Sequence, residues 1–365
     1  MDQDMMTEAL RQCIEKIKIN MENFSEKFPH VSEQNVYMPQ KNDLWTSSFW
    51  PGMVYLAYCC FKDEALMKYK DKWLDSFEER LNDKSSDTHD LGFLYTLSCV
   101  SLYKIEGNER AKGLALRAAE KLISRYNEEG RYIKAWENES ASIDLMIDTM
   151  MNIPLLFWSS EVTGDKKFRE IAVKHAITSS KHLVRKDGST YHICPYDYSA
   201  GELLKGKTFQ GRYDETTWAR GQGWAIYGFA LCYKYTKDEY FISLAKKAAD
   251  YFMKNNKAKD YVPYWDMSFT DESPDLKDSS AASIAACGLM ELSYETEDNK
   301  YKEYAMKIEE SLYKYYFTGL SSKSNGILLQ GVYHRNLGAD ECNIWGDYFY
   351  LEALARLNNN YRIFW

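Results

Sequence analysis

Apolar and polar positions along the chain define two kinds of helical segment, and the two kinds alternate. One is amphipathic: "DEALMKYKDKWLDSFEERL", "NERAKGLALRAAEKLISRY", "DKKFREIAVKHAITSSKHL", "DEYFISLAKKAADYFMKN" and "NKYKEYAMKIEESLYKYY". Each carries an apolar stripe at i, i+3, i+4 and i+7 with Lys and Glu elsewhere, so one face meets water. The other kind is apolar nearly all round: "WPGMVYLAYCCF", "DLGFLYTLSCVSLY", "DLMIDTMMNIPLLFW", "GWAIYGFALCYKY", "SSAASIAACGLMELS" and "IWGDYFYLEALARL". A helix without a polar face is enclosed by other helices. The pattern predicts about twelve helices and no sheet.

The order of segments is as informative as their type. An apolar helix is followed by a short polar turn ("KDE", "EGNE", "TGDK", "TKDE", "ETEDNK"), then a charged helix, then a longer loop. Five complete pairs read this way. A sixth apolar helix, near residues 344 to 357, has no following partner, and an N-terminal amphipathic helix at about residues 5 to 27 can close the ring with it. This is a six-fold repeat of helical hairpins. An open solenoid needs polar caps, which neither end provides. The expected fold is therefore all-α: an (α/α)6 barrel, a six-hairpin toroid, as a single domain over residues 1–365. The short turns then lie at one end of the ring and the long loops at the other, where a rigid scaffold usually carries its binding residues.

Composition narrows the functional classes. The 365 residues carry a net charge of -8, which argues against nucleic acid as a partner. No apolar run is long enough to cross a bilayer, so no membrane role is expected. "MDQDMMTEAL" has neither a basic segment nor an apolar core of a signal peptide, and a cytoplasmic location is expected. The eight cysteines form no CxxC pair and sit mostly in apolar helical runs, which predicts reduced, structural thiols. Aromatic residues make up 15% of the chain, suiting a thick core or a carbohydrate cleft.

Two carboxylates stand where inner helices would carry them toward the loop-bearing end. Asp90, in "THDLGF", reads either as a helix cap or as a functional acid. Asp148, in "SIDLMIDTMMN", is expected about one turn into a buried helix, with Asp144 as that helix's cap. A buried carboxylate is paired, protonated or functional. Burial and a neighbouring Asp90 would raise the Asp148 pKa and make it a proton donor near neutral pH. His89 and His192 share the loop side, but no second His or Cys stands at metal-ligand spacing, so no metal is expected. Trp45, Trp136, Trp218, Trp224 and Trp265 fall in or just after the long loops, as stacking faces for sugar rings or as core plugs. "TTWARGQGWAIYG" places Arg220 among tryptophans and glycines at the expected entrance of the fourth inner helix, with Thr216 or Thr217 as its cap.

At these residues the sequence resembles the unsaturated glucuronyl hydrolases, glycoside hydrolase family 88. The matching stretches are "WTSSFWPG", "HDLGF", "IDLMIDTMMN", "YHI", "GKTFQG", "TTWARGQGWAIYG", "DSSAASIAACGLMEL" and "NIWGDYFYLEAL", spread over nearly the whole chain. The resemblance implies an (α/α)6 barrel. It implies a substrate that is an oligosaccharide left by a polysaccharide lyase, ending in a 4,5-unsaturated uronic acid, and no cofactor. It also implies a reaction that hydrates the vinyl ether, with Asp148 protonating C4 and activating the water that adds at C5, and Asp90 holding sugar hydroxyls. Trp45, His89, Trp136, His192, Gly206, Thr208, Gln210, Arg220 and Trp224 are implied to line the sugar site, Arg220 as an anion-facing group at its rim, counter-charge for the uronate or for the carboxylates around it. Some relatives that prefer sulfated disaccharides have serines and a lysine where "GVYHRNLGAD" has His334, Leu337 and Ala339, so unsulfated substrates are expected here.

Three rivals stand beside this reading. An unsaturated rhamnogalacturonyl hydrolase acting on pectin fragments usually has Asn where this chain has Gln222. A barrel-fold sugar epimerase would want paired histidines, whereas the six here are scattered. A non-catalytic helical sugar-binding or scaffold protein would not need an acid inside an apolar segment. Oligomeric state is not legible from the sequence.

Overall fold

The computed structural model of the chain describes residues 3–137, 142–359 and 364–365. Six helical segments form an inner ring: α2 (Phe49–Phe61), the run α4 (Leu91–Tyr95) and α5 (Ser101–Glu106) joined by a π-helical turn, α7 (Pro154–Thr163), α9 (Ala219–Thr236), α11 (Ser279–Thr296) and α13 (Ile344–Asn359). Six others pack outside: α1 (Gln3–Phe24), α3 (Lys70–Leu81), α6 (Glu109–Ile123), α8 (Lys166–Leu183), α10 (Glu239–Asn255) and α12 (Asn299–Ser311). The inner segments touch in order, and α13 returns to pack on α2, which closes the ring. The first helix packs on α13, completing the sixth hairpin with the chain's two ends. The (α/α)6 barrel read from the sequence is the observed fold.

The short turns share one local mechanism. Each inner helix before a turn ends on a left-handed residue: Lys62, Gly107, Gly164, Lys237 or Glu297. The next residue is Asp or Asn in extended conformation, and its side chain accepts a backbone N–H of the following helix: Asp63, Asn108, Asp165, Asp238 and Asp298. The left-handed residue reverses the chain, and the Asx side chain satisfies an orphan donor at the next helix start. Gly107 and Gly164 adopt φ of +67° and +76° without the steric cost that the other three carry.

Burial follows the sequence pattern. Every residue of α9 from Ala219 to Cys232 is buried, and so is every residue of α11 from Ser279 to Ser293. One large apolar cluster draws on all thirteen α-helices of the described residues. Cys13, Cys99, Cys194, Cys232, Cys287 and Cys342 are free thiols, all six buried. No helix among the described residues is long and apolar enough to cross a membrane.

Two local expectations are corrected. The long loops carry five two-stranded antiparallel pairs among the described residues, where no sheet was expected. The third inner helix begins only at Pro154, not ahead of Asp148. Upstream of it, Leu145–Met146 pairs with Ile193–Cys194, and Ile147–Met151 forms a 3-10 turn. Proline at the first helical position starts a helix readily but cannot continue one from before it. The apolar run is thus a buried strand and turn followed by a helix, which periodicity alone does not separate.

Candidate active site

The long loops meet over the open end of the ring around a cavity with about 500 Å3 of open space. Trp45, Trp136, Phe209 and Tyr333 form its walls, and Gln210 reaches in beside them. His89, Asp90, Met146, Asp148, His192 and Arg220 form its deeper surface. The cavity therefore joins aromatic walls to a floor rich in titratable groups, the combination expected of a ligand site.

Asp148 reaches the cavity from the 3-10 turn because α9 lies close beneath that turn. A Cβ on Gly228 would come within 2.5 Å of the Met150 Cβ, and one on Gly221 would press on Trp218 and Ile147. The glycines of "RGQGWAIYG" thus let the inner helix approach the turn. Asp144 does not cap a helix. It accepts from the hydroxyls of Tyr132 and Tyr198 and from the backbone N–H of Tyr196.

Two His–Asp pairs face each other across the floor. His192 Nε2 lies 3.5 Å from Asp148 Oδ2. The Nδ1 of His192 accepts the backbone N–H of Gln210 at 3.1 Å, so the neutral ring carries its proton on Nε2, facing Asp148. The ring is held flat against Trp218, centroids 4.2 Å apart. His89 Nε2 lies 3.4 Å from Asp90 Oδ1, and its Nδ1 lies 2.6 Å from the Thr149 hydroxyl. Asp90 occupies the cap position of α4 but makes no capping bond, and its Oδ2 accepts from Thr88 instead. A pure helix cap would have spent that carboxylate on the helix.

The resting charge of Asp148 differs from the sequence expectation. Burial pushes its pKa up, but His192, whose Nε2 faces Oδ2 at 3.5 Å, with His89 and Arg220 behind it, outweighs burial and holds it below the ordinary value. The free carboxyl is an anion. Neighbouring donors, which sequence spacing does not reveal, overturn the desolvation argument.

Arg220 lines the cavity, but the rim placement expected from the sequence is corrected: it is buried, 2% exposed, and faces carboxylates of the protein. Nη1 donates to Val332 O and lies 3.4 Å from Asp278 Oδ2; Nη2 donates to Gln210 Oε1 and Tyr333 O. Its guanidinium stacks over Trp218, 4.3 Å from the ring centroid. The group braces the 331–341 hairpin and the Gln210 loop against α9, and its charge is balanced by buried Asp278. Thr216 and Thr217 do not cap α9, whose cap position is Trp218. Thr216 instead donates to buried Asp266, which anchors the same loop.

Of the other expected site residues, Trp45 and Trp136 line the cavity. Trp224 does not. It is fully buried, packed on Phe93 and Phe349, and offers no stacking face. Trp224 is the sixth residue of α9, more than a turn below its start, and points into the core. Gly206 and Thr208 also lie off the cavity: Gly206 sits against the Tyr191 ring, and the Thr208 hydroxyl accepts Gly211 N–H within the loop. Phe209, Met146 and Tyr333 line the cavity and were not singled out. Phe209 lies inside the quoted "GKTFQG", so the stretch was marked but not which side chain points inward.

The fold and site mark a glycoside-processing barrel enzyme, and comparison with known proteins gives its family. The family model described as Glycosyl Hydrolase Family 88 matches residues 17–362, and the chain belongs to that family. An unsaturated chondroitin disaccharide hydrolase of Streptococcus pneumoniae is 39% identical, with 98% of this chain and 93% of that one covered. The crystal structure of an unsaturated glucuronyl hydrolase from Streptococcus agalactiae superposes with a TM-score of 0.95 at 39% identity, covering 100% of this chain and 94% of that one. A mutant of the Streptococcus agalactiae enzyme complexed with dGlcA-GalNAc6S matches at TM-score 0.89 and 38% identity, with the same coverages.

Proposed function

We propose that the protein is an unsaturated glucuronyl hydrolase that hydrates the C4=C5 double bond of a 4,5-unsaturated uronic acid at the non-reducing end of glycosaminoglycan-type fragments. The observation that carries this reading is the pair of His–Asp couples facing one aromatic-walled cavity, with His192 Nε2 3.5 Å from Asp148.

In the reaction, Asp148 gives a proton to C4, and the cation at C5 is stabilised by the ring oxygen. Water adds at C5 and returns its proton to Asp148. The hemiketal opens to a ketone, the ring oxygen becomes a hydroxyl on C1, and that hemiacetal collapses to an aldehyde and expels the remaining sugar. Asp148 rests as an anion, so it takes up its proton on substrate binding: the uronate charge arriving beside it disfavours a second anion. Asp90, directed by His89 and Thr88, holds sugar hydroxyls. Trp45, Trp136 and Phe209 supply ring-stacking faces.

The 331–341 hairpin favours unsulfated substrates. Leu337 is exposed, and His334 stands 6.4 Å from Phe209 in place of a fixed cation. The test is the ultraviolet absorbance of the unsaturated uronate, which disappears on hydration. Unsaturated chondroitin, hyaluronan, heparin, gellan and pectin fragments are compared. Loss of absorbance is expected for unsulfated chondroitin or hyaluronan disaccharide; no loss with any of the panel overturns the activity. Faster turnover of sulfated chondroitin disaccharide overturns the preference, and turnover of pectin fragments alone favours a rhamnogalacturonyl hydrolase.

A further inference from the structure

The two carboxylates of the cavity stand on separate segments, and one amide side chain touches both. Asn152 is fully buried and follows directly on the 3-10 turn that carries Asp148. Its Oδ1 accepts the backbone N–H of Phe93, in the first turn of α4, at 2.7 Å. Its Nδ2 donates to Asp90 Oδ1 at 3.5 Å and to the backbone carbonyl of Asp148 at 3.3 Å. The backbones beneath are in contact as well: a Cβ on Gly92 would lie 2.1 Å from the carbonyl oxygen of Asn152. The absence of a side chain at residue 92 is what lets the segments meet.

A buried amide has two donors and an acceptor to satisfy. Asn152 spends all of them on the two segments that carry the acids. A purely packing residue at this place would be apolar, and would leave the Phe93 N–H without an acceptor. The amide also supplies a neutral donor to Asp90, which offsets part of the repulsion between two carboxylates sharing one cavity.

We infer that Asn152 is a positioning residue for the hydration, clamping the Asp90 segment to the Asp148 segment through its side-chain amide. The inference rests on the reading of Asp90 and Asp148 as the reacting pair. The charged and titratable groups that face this pair are His89, His192, Arg220, Arg80 and Tyr333. All of them come from other segments than the turn before Asn152.

The test is Asn152→Asp, which keeps the acceptor for Phe93 and replaces the donor to Asp90 by an anion. Misplacing a reacting group should lower kcat by roughly ten- to a hundredfold, with KM within about threefold. An added anion stabilises the protonated acid, so the alkaline limb of the kcat profile should move up by about one pH unit. A kcat and profile like those of the unsubstituted protein overturn the inference. So does a loss that is equal at every pH, which marks a structural role only. Asn152→Ser adds no charge and covers the case in which Asn152→Asp does not fold. It is expected to lower kcat with KM held and the limb unmoved, and an unchanged kcat overturns the inference equally. Asp148→Asn is measured alongside: if it stays active, the reading of the pair falls, and if it is inactive while both Asn152 variants behave normally, only the clamp falls.

Discussion

Asp148, part-buried on the cavity floor, and Glu309, fully buried on the outer helix α12, are acids in opposite charge states. Asp148 has His192 at 3.5 Å, with His89 and Arg220 nearby, and these hold it ionised against its burial. Glu309, on α12, is fully buried, and among the described residues neither of its oxygens has a hydrogen-bond partner. Burial alone acts on it and pushes its pKa far up, so it is a neutral acid in the folded protein. Burial raises both groups, and it decides protonation only where nothing opposes it. Donors and cations gathered around the group do oppose it. Those around Asp148 come from three separate stretches of the chain, and their convergence is what separates a chemical site from a tolerated buried acid.

The contrast is tested most strongly by replacing each acid with its amide in turn. Asp148→Asn is expected to lower kcat by about a thousandfold or more, read by loss of uronate absorbance. Glu309→Gln should leave kcat within about twofold, because no charge is lost. Equal losses in the two variants would show that burial, not the surrounding donors, matters.

Arg220 probes the same rule with the sign reversed, as a buried cation matched by Asp278. Arg220→Lys keeps the charge but not the fork that reaches Gln210, Val332 and Tyr333 at once. Urea unfolding should reveal a loss of about 3 kcal/mol. A variant of full stability with weakened substrate binding would restore Arg220 to the rim role expected from sequence.

His192→Gln sharpens the Asp148 side. Removing the main neighbour that depresses the Asp148 pKa should move the alkaline limb of kcat upward and lower its plateau by about ten- to a hundredfold. An unmoved limb would mean that His192 does not set the charge of Asp148.

The smallest effects are in stability against pH, and the two acids oppose each other. The depressed pKa of Asp148 contributes stability present above about pH 4 and lost as pH falls through its folded value. The raised pKa of Glu309 contributes stability present below about pH 4.3 and lost as pH rises toward its folded value. Glu309→Gln should therefore match the natural protein near pH 4 and exceed it by about 1 kcal/mol or more at pH 7. A gap that does not change with pH would place Glu309 in its charged form.

What the sequence determined by itself is the ring. Alternation of enclosed and amphipathic helices, punctuated by Asp or Asn after short turns, is a local pattern, because helix faces and caps are set by residues within a few positions of one another. The same locality marked the stretches that supply the site, including the Asp90 and Asp148 segments and "GKTFQG". Side-chain direction and charge state came from the packing of distant segments. Trp224 and Trp45 look alike in sequence, yet one faces the core and the other the cavity. Which anion Arg220 faces was open in the sequence, and the fold brings Asp278, 58 positions away, beside it. Asp148 looked like a protonated acid until His192 and Arg220 closed around it. Side-chain direction depends on where the neighbouring segments lie, and a pKa depends on charges a few ångströms away in space, whatever their separation along the chain.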